Sequence, residues 1–278
     1  MIGGCDMCVW NDMKRVAAVG AVVAMVLAAA PTLLADRPTD KDVKGLIDRI
    51  NSERDRFEDQ LDGKIKSSII RGPNGEVHVE RYLDDLQDNV GKLKDRYKGD
   101  YAASAEATTV LRQGSEIQRF MATQPPNFDG FSEWSRLASS LGELAAAYGT
   151  SMPLPEGMQA RRMNDREVKT AAEAVAKSAD RFKKDLDTSL KADTTVDAAT
   201  REAAVQAADS LKKDASTLAS LVGDGKPASG EAKALLDRAA AMRTAASGRP
   251  LAPAPLAAWK EVESGLVQVA LAFGVPAK

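Results

Sequence analysis

The chain has 278 residues, of which 44% are hydrophobic and 5% aromatic, and its formal net charge is −2. This length exceeds one ordinary domain, and the near-neutral charge without long blocks of like charge gives no reason to expect a nucleic-acid partner. Abundant alanine with few aromatic residues favours closely packed helices over sheets. We therefore expect an all-α protein with two domains.

The N-terminal segment has the pattern of a secretory signal peptide. A pair of basic residues precedes an apolar stretch, 16–34, and Ala35 then leads into polar sequence. We expect residues 1–35 to be removed by cleavage after Ala35, and Met13 is an alternative start of translation. Because about 20 apolar residues can just cross a bilayer, an uncleaved anchor is the alternative. Cleavage predicts an exported protein, periplasmic or extracellular, without an integral membrane span.

The two cysteines of the chain, Cys5 and Cys8, form a CxxC pair ahead of that apolar stretch. In a folded thiol protein such a pair suggests redox chemistry or half of a zinc site. Here the sequence holds no second pair to complete a tetrahedral site, and the predicted cleavage removes both residues. We expect no cysteine chemistry in the mature protein.

A constant offset of 125 residues relates the two halves of the mature chain. Asp55 recurs as Asp180, and Trp134 recurs as Trp259. A fixed spacing held without a gap indicates one supersecondary unit duplicated in tandem. We predict two tandem four-helix up-and-down bundles that arose by internal duplication. Bundle 1 is expected at 36–149, a Pro/Gly linker at 150–164 and bundle 2 at 165–278.

Apolar residues at every third or fourth position predict the helices of both bundles. Thr39 or Asp40 suits the first N-cap, Pro255 suits the first turn of the last helix, and the turn residues 71–75 separate the first two helices. In the first bundle the helices should cover about 39–70, 76–97, 104–122 and 129–148. In the second they should cover about 165–191, 195–222, 229–246 and 255–273.

Several repeated charged residues have the spacing of ion pairs on a helix surface, with the acid four positions before the base. Each such pair stabilises a helix by about 0.2–0.5 kcal/mol. Asp84 and Asp209 correspond to each other, and we expect them to pair across helices with Lys66 and Lys191. The pairs within one helix are Asp40–Lys44, Asp62–Lys66, Asp165–Lys169 and Asp187–Lys191.

The sequence lacks the patterns of known catalytic and cofactor sites. A haem bundle needs an axial His or Met and, for covalent attachment, a CxxCH sequence, but the chain after the predicted cleavage has one histidine, His78, and no cysteine. The Glu and His motif of di-iron bundles is also absent. A nucleophile elbow, a phosphate-binding loop and an HExxH zinc motif are also missing. We interpret His78 as a solvated residue at a helix start, and we expect neither enzymatic activity nor a cofactor or metal.

Two functional hypotheses remain. The first is a non-catalytic exported protein that acts as a protein-binding or scaffolding module in the cell envelope, with another envelope protein as its partner. The alternative is a periplasmic bundle that binds a small molecule, as a sensor does, within the aromatic-rich first unit. A buried pocket would favour the second hypothesis, and an exposed apolar patch the first. The candidate ligand-lining residues are Tyr82, Tyr97, Phe120 and Trp134.

Overall fold

The computed structural model describes residues 36–72, 75–125, 128–246 and 250–275. This part of the chain is mostly helical, with nine helices and one two-stranded sheet, which confirms the predicted helical class. None of these nine helices combines the length and apolar composition that crossing a bilayer requires. The predicted signal peptide at 1–35, with both cysteines, lies outside the described residues.

The chain divides into two compact units. The first unit contains Arg37–Glu167 together with Gly225–Pro227. The second unit contains Val168–Asp224 and the residues from Ala228 onward.

The first helix, α1 (Asp40–Gln60), begins where the sequence predicts. The Thr39 side chain accepts a hydrogen bond from the Asp42 amide, and the Asp42 carboxylate accepts one from the Thr39 amide at 2.9 Å. These reciprocal bonds form a capping box, which satisfies amides that a helix start leaves free. Hydrogen bonds from the Thr39 hydroxyl and amide lower the pKa of Asp42. The buried face of α1 carries Val43, Leu46, Ile47, Ile50 and Phe57.

The predicted continuation of α1 to residue 70 is wrong. The Asp62 carboxylate accepts a hydrogen bond from the Lys64 amide at 2.7 Å and caps a one-turn helix, α2 (Gly63–Lys66). A short acidic side chain that bonds its own backbone, followed by a glycine, favours a new start over continued helix. The Asp62–Lys66 surface pair is therefore replaced by a cap.

An antiparallel hairpin follows α2 where the sequence analysis placed the end of one helix and the start of the next. Strand β1 (Ile69–Gly72) pairs with β2 (Gly75–His78), with Ile70 opposite Val77. Consecutive isoleucines favour a strand, and an Asn-Gly step between apolar stretches is a strong hairpin signal. The second long helix consequently begins at residue 79 rather than at residue 76.

Three more helices complete the first unit. Helix α1 contacts both α3 and α5, and α4 contacts the same two helices, so that the four long helices enclose one apolar core. Strand β1 contacts α4 and α3. The helices are α3 (Val79–Arg96), α4 (Ser104–Met121) and α5 (Phe131–Ala147).

The second unit is built from four helices, the first of which starts in the first unit. Helix α8 lies close against α7 and α9, and α6 contacts α7 and α9 through side chains. The bounds of α8 match the prediction, and the other three helices differ from it by one to three residues at their ends. The helices are α6 (Asp165–Ala192), α7 (Ala198–Gly223), α8 (Ser229–Ala246) and α9 (Pro253–Ala272).

Each unit contains one Phe–Trp pair that joins its first long helix to its last. The ring centroids of Phe57 and Trp134 lie 5.5 Å apart, and those of Phe182 and Trp259 lie 5.2 Å apart. The ring planes are tilted by 48° and 53°. Such pairs contribute about 0.5–1.5 kcal/mol beyond the burial of their area. The same contact thus occurs at positions separated by the repeat offset.

Candidate functional site

Of the four candidate ligand-lining residues, Tyr97 lies apart, whereas Tyr82, Phe120 and Trp134 stand toward one end of the helices, at the start of α3, the end of α4 and the start of α5. Tyr82 and Tyr97 stand at opposite ends of α3, about 22 Å apart along the helix at 1.5 Å per residue. Trp134 packs against Phe57, and Phe120 is partly buried in the last turn of α4. The structure therefore does not gather the four around one small-molecule site.

Tyr82 is engaged in a hydrogen bond inside the core. Its hydroxyl donates to the Glu116 carboxylate, and both residues are buried. Burial, together with the bond to Glu116, raises the pKa of Tyr82, so the phenol keeps its proton and remains a donor. Glu116 was missed in the sequence because a charged residue within a helix is normally assigned to the surface.

A polar cluster in the first unit joins two chain segments, 37–40 and 162–165. Each segment consists of an arginine followed three residues later by an aspartate that begins a long helix. The two segments are separated by the same 125-residue offset that relates the halves of the sequence. We call Arg37, Asp40, Arg162 and Asp165 the clasp.

The two arginines of the clasp make corresponding contacts. Arg37 donates to the Asp165 carboxylate at 2.6 Å, and Arg162 donates to the Asp40 carboxylate at 3.0 Å. Their side chains are 9% and 2% exposed, so both guanidinium groups are largely desolvated. Each arginine also donates to a main-chain carbonyl of the opposite segment, Arg37 to Met163 at 2.5 Å and Arg162 to Pro38 at 2.7 Å.

The two aspartates exchange main-chain hydrogen bonds. The Asp40 amide donates to Asp165 Oδ2 at 2.8 Å, and the Asp165 amide donates to Asp40 Oδ2 at 3.0 Å. Each carboxylate therefore caps the first turn of the other helix, where free amides and the helix dipole favour negative charge. The contacts are reciprocal in the way that contacts around a twofold axis are.

The cap residues beside the clasp repeat the same pattern. Asn164 Oδ1 accepts the Glu167 amide at 2.8 Å, and the Glu167 carboxylate accepts the Asn164 amide at 2.8 Å. This capping box at the start of α6 corresponds to the one formed by Thr39 and Asp42 at the start of α1. Asn164 is fully buried, and its Nδ2 has no hydrogen-bond partner in the described part of the chain.

Arg162 has further partners that Arg37 does not share. It donates to the Tyr97 hydroxyl at 3.1 Å and to the Ala147 carbonyl at 3.4 Å. The Tyr97 hydroxyl in turn donates to Asp40 at 2.8 Å. Burial raises the pKa of Tyr97, which keeps this phenol protonated. Two cations face two anions here, and these groups are suited to fixing chain segments rather than to transferring protons.

The segment between α5 and the clasp lies along α4. We call residues 149–161 the strap. Gly149, at φ +66°, turns the chain after α5. The sequence analysis predicts a linker at 150–164. In the structure, hydroxyl groups on three turns of α4 accept hydrogen bonds from the main chain of this segment. Ser115 accepts the Leu154 amide at 2.7 Å, Thr108 accepts the Ala160 amide at 3.0 Å, and Ser104 accepts the Arg162 amide at 3.3 Å.

The structure bears on the ion pairs that the sequence analysis proposed within single helices. Asp187 and Lys191 form the predicted pair at 2.6 Å. The pairs assigned to Asp40 and Asp165 are wrong, because both carboxylates belong to the clasp. The repeat offset also carries Arg37 onto Arg162, and this match could have revealed the clasp in the sequence.

The predicted pairs between helices have different partners. Asp209 binds Lys183 on α6 at 2.7 Å and not Lys191, which lies two turns further along that helix. The described residues contain no Asp84–Lys66 ion pair. Burial raises the pKa of Glu58, and the nearby charge of Asp84 adds to that increase. The equivalent place in the first unit therefore holds two acids where the second unit holds an ion pair.

The part of the chain that the structure describes holds no cluster of His, Cys, Asp or Glu able to bind a metal ion. His78 precedes α3 as its N-cap, with Nδ1 2.9 Å from the Ser67 carbonyl. An open groove of about 320 Å³ lies between α6 and α7 in the second unit. Its lining includes Lys169 and Glu173 but no aromatic side chain, so it differs from the pocket that a ligand-binding bundle would require.

Three exposed apolar side chains share one face of α9. Leu256 is 40% exposed, Val267 42% and Leu271 69%. At 3.6 residues per turn these positions lie within about 60° of one another. We call them the α9 stripe. Residues 264–275, which include its last two members, Val267 and Leu271, contain no charged side chain.

In comparisons with known proteins, no family model matches the chain, and neither a curated protein nor a solved structure matches it. The geometry of the chain itself therefore carries the functional proposal.

Proposed function

We propose that the mature chain is a non-catalytic exported module that binds or scaffolds another protein of the cell envelope through the α9 stripe. The observation that carries this proposal is the exposure of Leu271 and Val267, adjacent on one helix face. Single exposed apolar residues are ordinary, whereas aligned ones are typical of interaction surfaces. The alignment on one face is what favours a binding role.

The chemistry of the stripe fits a partner that presents an apolar helix face or groove. Because 264–275 is free of charge, docking there desolvates no ion. Glu263 lies one turn before Val267 on the same face and is bonded to Arg243 at 3.0 Å, so a partner at this end of the stripe meets a charge that is already paired. An amphipathic helix laid against the stripe would follow a common recognition mode.

We also infer that the chain is two four-helix up-and-down bundles produced by duplication. The Phe–Trp pairs support this inference, because the same contact recurs 125 residues further along. The clasp supports it independently, because its two halves present the same groups at the same offset. Duplicated units commonly keep the contacts that their shared fold needs.

Export is the part of the proposal that rests on the sequence of the N-terminal segment. The expected N-terminal residue of the exported protein is Asp36. N-terminal sequencing of the protein recovered from the envelope tests this expectation. Recovery of a form that retains residues before Asp36 would instead indicate a membrane anchor.

The contacts of the aromatic residues give the small-molecule alternative less support. Tyr82 bonds Glu116 and Tyr97 bonds Asp40, while Trp134 packs within the core. These aromatic groups are engaged within the unit, and a ligand would have to displace those contacts.

A photo-crosslinking amino acid in the full-length protein tests the docking surface in intact cells. Placed at Leu271 or Val267, it should yield the same protein adduct. Placed at Thr217, which is exposed on α7, it should not yield that adduct. Leu271→Lys should abolish the adduct formed from position 267 and weaken binding of the purified partner.

Two results would contradict the proposal. One is equal adduct formation at all three positions, which is expected of random collision. The other is an adduct from position 267 that persists with Leu271→Lys while circular dichroism shows an unchanged fold.

A further inference from the structure

We propose that the clasp is an exchangeable interface, through which segment 37–40 of one molecule can close on segment 162–165 of a second copy of this chain. The exchanged assembly has two chains and two clasps. This inference does not depend on the α9 stripe or on its partner. It rests on the chemistry of the two segments and on the chain that connects them.

The two segments are self-complementary. Each offers a guanidinium group and a helix-start amide, and each accepts through an aspartate carboxylate and a main-chain carbonyl. The opposite segment presents the same set. An interface in which both sides present the same groups is the kind that pairs identical subunits around a twofold axis.

The connection between the halves can open without breaking a helix. The strap has no regular secondary structure and contains Gly149 and Gly157, both at positive φ. Hydrogen bonds to Ser and Thr hydroxyls of α4 hold the strap, and Ala160, Met152 and Leu154 pack against the core of the first unit. An exchanged dimer would remake each of these contacts with the second copy, and only the hinge would differ.

Closing an opened clasp is strongly favourable, because opening leaves buried charges without partners. Arg162 and Arg37 are almost wholly buried, and Asp40 and Asp165 are 15% and 17% exposed. Removing the partner of a buried charge is strongly unfavourable. Within one molecule the effective concentration of the other half is on the order of millimolar, so the closed monomer dominates in dilute solution. Exchange therefore requires that the clasp opens, for example on unfolding, and that it closes again at high protein concentration.

Two charge-reversal variants of the mature chain, residues 36–278, test the proposal. In Arg37→Glu, the new carboxylate faces Asp165. In Asp165→Lys, the new ammonium group faces Arg37. Each variant alone carries a like-charge contact in the closed monomer and in its own dimer. A mixed dimer pairs Glu with Lys in one clasp and retains Arg37 with Asp165 in the other.

The expected result is a species of twice the monomer mass, with one chain of each kind, when the two variants are refolded together. Each variant refolded alone should remain monomeric. The double variant Arg37→Glu/Asp165→Lys is the matched control, since its complementary charges lie in one chain, and it should be monomeric in dilute solution. Native mass spectrometry distinguishes these species. A mixture with no more dimer than either variant alone would overturn the proposal.

The unmodified chain provides a second measurement in case a variant fails to fold. Isotope-labelled and unlabelled mature protein, unfolded together and refolded at increasing concentration, should give dimers of mixed isotopic mass in rising proportion. Monomer alone at every concentration up to the millimolar range would contradict an exchangeable clasp.

Discussion

The two units treat buried polar groups differently. The first unit buries Arg54, Glu116 and Arg162 among its helices, whereas the buried polar residues described in the second unit are Ser178 and Ser229. At the repeat offset, Arg54 corresponds to Ala179, which is fully buried. A large charged side chain that needs partners is thus replaced by a methyl group that needs none. Corresponding positions of the two units therefore carry a charged side chain in one interior and a small apolar side chain in the other.

The second unit places its charges around the core. Surface pairs of this kind are individually weak and sensitive to salt, while a buried pair is hard to break because each partner is desolvated. The first unit should therefore respond strongly to single polar substitutions, and the second mainly to changes in packing. Ion pairs between helices of the second unit are Lys183–Asp209, Lys212–Asp180, Arg238–Asp214, Arg181–Glu261 and Arg243–Glu263.

Residues 36–278 contain two tryptophans, one in each unit, and in protein of that length these allow the units to be followed separately. With Trp259→Phe, fluorescence reports on Trp134 in the first unit. With Trp134→Phe, it reports on Trp259 in the second. Both are 7% exposed in the fold, so unfolding of either unit changes the signal.

The largest expected effect is that of Arg162→Ala. It leaves the Asp40 carboxylate without its buried partner, and the loss should be about 3–5 kcal/mol in the free energy of unfolding of the first unit. Urea denaturation followed by Trp134 measures it. Arg161→Ala is the matched control, because that side chain is exposed one residue away. A loss no greater than that of the control would refute the buried role of Arg162.

The next effect concerns the tyrosine–glutamate pair of the first core. Tyr82→Phe removes the donor to Glu116 and should destabilise the first unit by about 1–3 kcal/mol, since a buried acceptor then lacks a bond. Tyr101→Phe, at a residue 43% exposed, should change stability little. Equal effects of the two substitutions on the Trp134 transition would mean that the internal hydrogen bond contributes nothing.

Adding a methyl group at a helical glycine should destabilise the second unit at Gly265 and stabilise the first unit at Gly142. A Cβ on Gly265 would lie 2.5 Å from Cγ2 of Val175, a stiff side chain, so Gly265→Ala should cost about 1–3 kcal/mol despite alanine's better helix propensity. At Gly142 a Cβ meets nothing within 4 Å, and Gly142→Ala should stabilise the first unit by about 0.5–1 kcal/mol. Thermal denaturation of both variants would show whether the signs differ as expected.

The smallest expected effect is a pH dependence in the second unit. Hydrogen bonds from Lys184 and Lys212 lower the pKa of Asp180 to about 2, from an ordinary value of 3.8. Hydrogen bonds from Lys183 and Lys213 do the same for Asp209. Their contribution to stability is therefore present above pH 3.8 and is lost as pH falls towards 2.

The double variant Asp180→Asn/Asp209→Asn should flatten the pH dependence of the Trp259 transition between pH 4 and 2. Placed in the Trp259→Phe background, the same two Asp→Asn substitutions should leave the pH dependence of the Trp134 transition unchanged. An unchanged slope for the second unit would show that these ion pairs do not form in solution.

Helical periodicity predicted the helices of both units because most of them bury one apolar stripe, as α3 and α8 do. The hairpin escaped prediction because the apolar spacing of Ile65 and Ile69 also suits a helix, and an Asn-Gly step also suits a simple turn between two helices. The clasp escaped because Asp40 and Lys44 match the spacing of a surface ion pair. Local sequence does not show that a residue 125 positions away supplies a better partner.

The repeat offset singles out Arg162, but its burial and its hydrogen bond to Tyr97 depend on tertiary contacts that the sequence does not show. Arg162 follows a segment rich in Pro and Gly, and charged side chains in such segments are normally solvated. Its burial results from the strap, which hydroxyl groups of α4 hold in place. Tertiary packing thus determines which of the repeated charges are structural.

A pair of double-mutant cycles tests the reciprocal clasp most directly. One cycle combines Arg37→Met with Asp165→Asn, and the other combines Arg162→Met with Asp40→Asn, each followed by urea denaturation of the first unit. Both cycles should give coupling energies of about 0.5–3 kcal/mol, as residues in direct contact do. If the paired substitutions are instead additive within about 0.3–0.5 kcal/mol in either cycle, the two halves of the clasp do not bind each other as described.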